Sequence, residues 1–360
     1  MTGNAVSHRH RASALWPGVP FAIGAAILFG ASAPLSKMLL GTINPWLLAG
    51  ILYLGAGLGL ALVRYGRKAI GLPDAEAPLR RADMSWLAAI LFFGGFLGPL
   101  LLMFGLSMIS GSAGSLLLNV EGIATMGIAW LIFRENVDRR LLLGALAIVA
   151  GAVALTWTGG GLQLDLGGLL VVGACLCWGL DNNLTRKLSS ADPVEIAMVK
   201  GLVAGLANLI LALATGATIP PLSFILAGSL VGFFGIGVSL VLFMLGLRHL
   251  GAARTGAYFS LAPFIGAVLA LVLLGETVTI QLVIAGLLMG AGLWVHLAER
   301  HEHEHVHEPL EHEHSHVHDI HHQHPHDGPI TEPHSHPHRH EVLVHSHPHY
   351  PDLHHRHRHG

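Results

Sequence analysis

The sequence predicts an all-α polytopic membrane protein: ten transmembrane helices arranged as two inverted five-helix repeats. Three observations predict it. The chain is 52% hydrophobic and only 12% charged, with 45 glycines, a composition foreign to a water-soluble globule. Its apolar residues come in runs of about 20, the length at which a helix crosses ~30 Å of hydrocarbon. Its lysines and arginines gather in every second connection between those runs.

Residues 1–17 form a short cytoplasmic N-terminus carrying His8, Arg9, His10 and Arg11. No small-residue cleavage site follows them, so the first span is expected to be retained. The spans are predicted at 18–38, 44–63, 85–107, 111–133, 141–158, 167–187, 195–215, 222–247, 253–274 and 278–298. The uncharged run from Gly201 to Leu247 is too long for one crossing. Thr218, Pro220 and Pro221 break it, because proline lacks an amide and disfavours helix before it. Gly159, Gly160 and Gly161 end the fifth span; no strand, lysine or GxGxxG pattern makes them a phosphate cradle. Cys175 and Cys177 lie two apart in one apolar run, neither a disulfide framework nor a zinc motif, and read as small packing residues. Trp16, Trp46, Trp86 and Trp157 fall near span ends, where an aromatic belt anchors helices. The small-residue pairs Gly55/Gly59, Gly201/Gly205, Gly228/Gly232 and Gly286/Gly290 would let helix backbones approach closely.

Placing the N-terminus inside puts fifteen basic residues on the inner side, from Arg9 to Arg300, and only Lys37 near the outer side. That asymmetry predicts an integral plasma (inner) membrane protein with both termini cytoplasmic. The partners implied are the lipid bilayer and a small-molecule or ion substrate; nucleic acid is excluded, and a homodimer is compatible with such spans.

The halves resemble each other. Phe29-Gly30-Ala31-Ser32-Ala33-Pro34-Leu35-Ser36-Lys37 aligns with Trp178-Gly179-Leu180-Asp181-Asn182-Asn183-Leu184-Thr185-Arg186. Phe133-Arg134-Glu135-Asn136-Val137 aligns with Leu274-Gly275-Glu276-Thr277-Val278. Five spans per half is an odd number, so equivalent helices cross in opposite directions, with a substrate site expected between the repeats near the midplane. On these motifs the chain resembles the EamA-type transporters of the drug/metabolite transporter superfamily. The resemblance implies a first EamA-type repeat over 18–158, a second over 167–298, and a secondary transporter of small metabolites. Two features depart from the commoner pattern. Asn119-Val120-Glu121-Gly122 stands where many relatives have a proline, as Pro263 does in span nine, and Asp181-Asn182-Asn183 is unusually polar.

Glu121 is the most informative residue. About 18 Å of apolar helix is expected on each side of it, and an ionisable group at such depth marks a substrate or proton pathway by default. A carboxylate that holds either a proton or a cation, but not both, gives antiport without further machinery. The plainer alternative is a protonated acid bonded to a neighbouring helix. Asp181, with Asn182, Asn183 and Thr185, is a second candidate for a cation or polar metabolite, or else a polar cluster closing its helix. Lys37 either snorkels to the outer surface or meets Glu121 or an anionic substrate. Lys200 is placed to pair with Glu195 or Asp181. His249 and His296 read as surface histidines, while Glu135 and Glu276 read as caps of their loops. Asn119 completes the candidate pathway. No catalytic triad or nucleotide motif appears, so no enzyme is expected and no cofactor is required.

Residues 301–360 hold 23 histidines and ten acids, a composition that predicts a disordered cytoplasmic tail. Its His-x-His runs, with His301, His303, His305, His307, His312, His314, His316 and His318, suit Zn, Ni, Co or Cu. Three functions are compatible with these features. The first is a proton-coupled exporter of a small polar or cationic solute, working by alternating access. The second is a divalent transition-metal efflux protein whose tail collects the ion. The third is a membrane-anchored metal store or sensor.

Overall fold

The computed structural model describes residues 18–71, 84–133, 139–157, 165–185 and 192–297, together with the backbone of 302–307, 310–316, 334–340 and 343–348. The described part of 18–297 is helical. α1 (Gly18–Leu39) is followed by α2 (Pro45–Ala69), which starts at a cap where Asn44 accepts from Trp46 N at 2.9 Å. α3 (Met84–Ile90), a π-helical stretch over 91–97, and α4 (Gly98–Met108) form one long unit. α5 (Gly111–Leu117) and α6 (Val120–Phe133) form the next, followed by α7 (Arg139–Thr156), α8 (Leu166–Thr185) and α9 (Pro193–Ala214). α9 is capped like α2: Asp192 accepts from Val194 N at 2.8 Å, and a proline fills the first helical position of both. It ends at Gly216, whose φ of 88° is the left-handed geometry that terminates helices. Thr218, Pro220 and Pro221 then occupy the expected break.

α10 (Leu222–Gly232), a second π-helical stretch over 233–238, and α11 (Ser239–Phe259) come next. α11 is helical through the predicted turn between spans eight and nine, yet it reverses there, because a Cβ on Gly246 would lie 2.9 Å from Thr255 Cγ2. α12 (Ala262–Leu273) and α13 (Ile280–Leu297) complete the membrane part.

Among the described residues, eight segments are long and apolar enough to cross a membrane: 18–39, 45–69, 84–108, 111–132, 139–156, 194–214, 222–246 and 255–273. They make this an integral membrane protein. The sixth and tenth predicted spans correspond to α8, which carries Asp181 and two asparagines, and to α13, whose apolar core over 280–295 is shorter.

Three of the four glycine pairs bring backbones together. Gly201 and Gly205 of α9 meet the backbone of Tyr53, Leu54 and Gly57, Gly55 faces Ser229, and Gly232 faces Leu52. The fourth pair behaves differently: Gly286 and Gly290 meet only side chains, at 3.8 and 3.9 Å. Cys175 and Cys177 are buried free thiols, as their spacing suggests. Trp86 and Trp157 are exposed, but Trp46 packs against the core with Nε1 buried. Gly159–Gly161, Glu135 and Trp16 lie outside the described residues.

In the tail, β1 (Glu302–His307) pairs antiparallel with β4 (Leu343–Pro348), and β2 (Leu310–His316) with β3 (His334–His340). Composition predicts no regular structure there, but His-x-His also has the period of two that a strand requires. The side chains of the candidate metal-binding histidines lie outside the described part of the structure.

Candidate functional site: a polar centre around a broken helix

The predicted fourth span is two helices, not one. α5 stops at Leu117 and α6 starts at Val120, which places Glu121 in the first turn of α6 rather than mid-helix. Asn119 sits in the break, where its Nδ2 donates to Leu116 O at 2.9 Å and touches Met289 Sδ at 3.9 Å. The Cys175 thiol reaches Leu117 O at 3.6 Å. The Asn119 amide thus joins that residue's own N–H, 3.0 Å away, on Leu116 O, and such side-chain contacts to the backbone help a broken helix persist inside a bilayer. The N-terminal turn of a helix also carries partial positive charge, a favourable place for a carboxylate.

α8 packs on α6 and brings partners to Glu121. Asn182 Nδ2 donates to Glu121 Oε1 at 3.1 Å and lies 3.2 Å from Thr125 Oγ1. Thr125 Oγ1 donates in turn to Glu121 O at 2.9 Å. Asn183 ties the two helices by donating to Thr125 O at 2.9 Å and to Gly179 O at 2.8 Å. Sequence reading missed Thr125; its place one turn after Glu121 was the available signal.

The three polar residues of α8 diverge rather than forming one ligand shell. Asp181 turns away from Glu121's partner and forms an ion pair with Lys200 of α9. Lys200 therefore takes Asp181; Glu195, its other candidate, lies 3.7 Å from Arg64, which also holds Asp192 at 2.7 Å. Asp181 Oδ1 is buried without a hydrogen-bond partner. The space for this carboxylate exists because residue 94 is glycine: a Cβ there would overlap it. Gly94 lies in the first π-helical stretch, and its carbonyl accepts from Tyr53 Oη at 3.0 Å and Trp178 Nε1 at 3.1 Å. Tyr53 was not singled out from sequence, and Trp178 only as the aromatic of the repeated aromatic-Gly motif, since their partner is a backbone atom created by the π geometry.

Lys37 is not at Glu121. Its Nζ donates to Leu106 O at 2.6 Å, in the last turn of α4, where a cation complements the helix dipole. Glu276 acts as a cap, but of a distant helix: its carboxylate accepts from Gly111 N at 2.6 Å and Ser112 N at 2.9 Å, at the start of α5. Beside it lies a cavity of about 640 Å³ lined by Ser110, Ser112, Asp165, Glu276, Thr277 and Gln281, among others. Among the described residues no three His, Cys, Asp or Glu side chains converge on a metal-sized site.

The model of the EamA-like transporter family matches this chain twice, over residues 16–157 and 165–298. An uncharacterized transporter of Methanothermobacter thermautotrophicus is 33% identical over 296 residues, covering 78% of this chain and 86% of that protein. The uncharacterized transporter YyaM of Bacillus subtilis is 22% identical, over 75% of this chain and 92% of its own. A solved crystal structure superimposes with a TM-score of 0.57 at 19% identity, covering 78% of this chain and 95% of that one, a likeness of fold alone.

Proposed function

The chain belongs to the EamA-like transporter family, and from that premise we propose a ten-helix secondary transporter that exports a small polar or cationic solute by alternating access, in exchange for a proton at Glu121. It is a carrier, not an enzyme. α8 and α13 complete the ten spans, the two family matches are inverted repeats, and the fifteen basic residues keep both termini cytoplasmic.

Packing supports the repeat. α1 packs on α11 and α12 as α8 packs on α4 and α6, while α2 pairs with α9 and α7 with α13. The exchange α1↔α8, α2↔α9, α7↔α13 leaves that pattern unchanged. Both halves carry a π-helical stretch, at 91–97 and 233–238, and both carry a break, after Leu117 and after Phe259. Broken helices facing each other across a pseudo-two-fold are how secondary transporters build a midplane site.

The observation that carries the coupling is Glu121 at the opening turn of α6, with its carboxylate held by Asn182 of the other repeat. Protonation, or occupation by a cation, changes the partner needs of a group bridging the two halves, so it biases their relative arrangement. The test is solute-induced proton movement in proteoliposomes with an imposed pH gradient, screening organic cations, polar metabolites and Ni²⁺, Co²⁺ and Zn²⁺. We expect E121Q to abolish gradient-driven flux and Glu121→Asp to retain part of it. Flux in E121Q equal to that of the parent chain would sink the proton role.

The metal-efflux reading is kept for one observation, the 23 histidines of residues 301–360. A chain ending at Arg300 separates the two. Unchanged solute preference after truncation leaves the tail as a store or regulator, while loss of a metal flux makes it a collector.

A further inference from the structure

The carrier reading gives Glu121 a task and leaves the Asp181–Lys200 pair without one; any part for that pair in transport rests on the same reading. The fold does not require the pair. Asp181 is equivalent to Ser32 in the first repeat by the aromatic-Gly motif, and Gly94 to Gly235 by Phe92-Phe93-Gly94 against Phe233-Phe234-Gly235. The geometry agrees: a Cβ on Gly235 would lie 2.7 Å from Ser32 Cβ, just as one on Gly94 would meet Asp181. The caps Asn44-Pro45 and Asp192-Pro193 align Lys200 with Leu52, a buried apolar residue. The same architecture is therefore packed once with neutral residues and once with a buried ion pair, and buried pairs are poor sources of stability compared with apolar packing.

The pair is also incompletely used. Asp181 is 7% exposed at its side chain, with Oδ2 on Lys200 and Oδ1 buried without a partner. Lys200 is less enclosed, at 19%, and stands on a flexible four-carbon stem. We propose that Asp181 is an ammonium-binding site whose resting occupant is the chain's own Lys200, displaced by a small primary-amine cation. Exchange of one ammonium for another keeps the buried charge balanced throughout. The unpartnered Oδ1 offers the incoming ammonium an acceptor that Lys200 leaves unused.

A tethered competitor lowers apparent affinity by the fraction of time it leaves the site free. The test is equilibrium binding of radiolabelled methylammonium to the full chain in lipid nanodiscs. Lys200→Met is expected to tighten binding about tenfold, as for a site that is otherwise free about a tenth of the time. Asp181→Asn is expected to remove saturable binding. Binding is read at equilibrium with no pH gradient, so this result is separate from the flux test of proton coupling. The double variant Asp181→Ser/Lys200→Leu, which copies the first repeat, is expected to remain monodisperse and bind nothing. Lys200→Arg, a better carboxylate partner, is expected to weaken binding and stands in if Lys200→Met does not fold. Equal or weaker binding by Lys200→Met, unchanged binding by Lys200→Arg, retained binding by Asp181→Asn, or no binding to the parent chain would each overturn the proposal.

Discussion

The Gly94 carbonyl shows how much one atom can organise. A π-helical turn leaves a carbonyl short of its usual amide partner, and Tyr53 Oη and Trp178 Nε1 both take that place, from α2 and α8. Removing one donor leaves the other in place, so Tyr53→Phe is expected to cost about 1 kcal/mol. Removing both strands a buried carbonyl, at about 1–3 kcal/mol more. Thermal unfolding of the purified chain in detergent reads this directly: a small drop in midpoint for Tyr53→Phe or Trp178→Phe, and a drop larger than their sum for the double variant. An additive double variant would mean the two donors do not share an acceptor. Residues of this kind are illegible in sequence, because their meaning depends on a distortion of the neighbouring backbone. Glu121 was legible for the opposite reason: a carboxylate in hydrocarbon stands out without any geometry.

The helices themselves were largely readable, since apolar run length and proline position decide where a membrane helix starts and stops. What sequence did not reveal was their internal interruptions. The break at Leu118–Asn119 carries no proline, and only the equivalence with Pro263 hinted at it. Glycine pairs were likewise ambiguous until packing distinguished them. Gly201 lies against the backbone of Tyr53 and Gly57, which cannot retreat, whereas Gly286 meets only the Leu116 side chain at 3.8 Å. Gly201→Ala is therefore expected to cost about 1–3 kcal/mol or more by overpacking, while Gly286→Ala is tolerated or slightly stabilising. Monodisperse yield and unfolding midpoint of the two variants provide the comparison, and equal behaviour would contradict the close α2–α9 crossing. Glu276 makes a related point about caps. Its two bonds to the start of α5 join residues 165 and 164 apart in sequence, so Glu276→Gln is expected to lose about 1 kcal/mol of cap energy, seen as a lower unfolding midpoint.

At the scale of the whole molecule the question is how many times the chain crosses. Hydropathy and length single out eight segments, and the repeat requires ten. The difference rests on α8 and α13, and α8 fails on composition for the reason that makes it interesting: it buries Asp181 beside Lys200 of α9 and Asn183 against α6, and carries the exposed Asn182 to Glu121. Hydropathy scores every residue as though it met lipid; polar residues held against neighbouring helices need not comply. Single cysteines distinguish the two counts, because the native thiols are buried and give little background. Leu166, Thr218 and Val278 are exposed at one set of helix ends, and Tyr65 is exposed near the other. With ten spans and the basic loops inside, Leu166→Cys, Thr218→Cys and Val278→Cys should all react with a membrane-impermeant maleimide in intact cells. Tyr65→Cys, and a cysteine appended after Gly360, should react only after permeabilisation. If α8 does not cross, positions 166 and 218 fall on opposite faces. If α13 does not cross, position 278 and the C-terminus share one. The inverted repeat survives neither result, since five crossings per half is what turns the second copy over, and with it would go the pairing of Asp181 with Ser32 across the pseudo-two-fold.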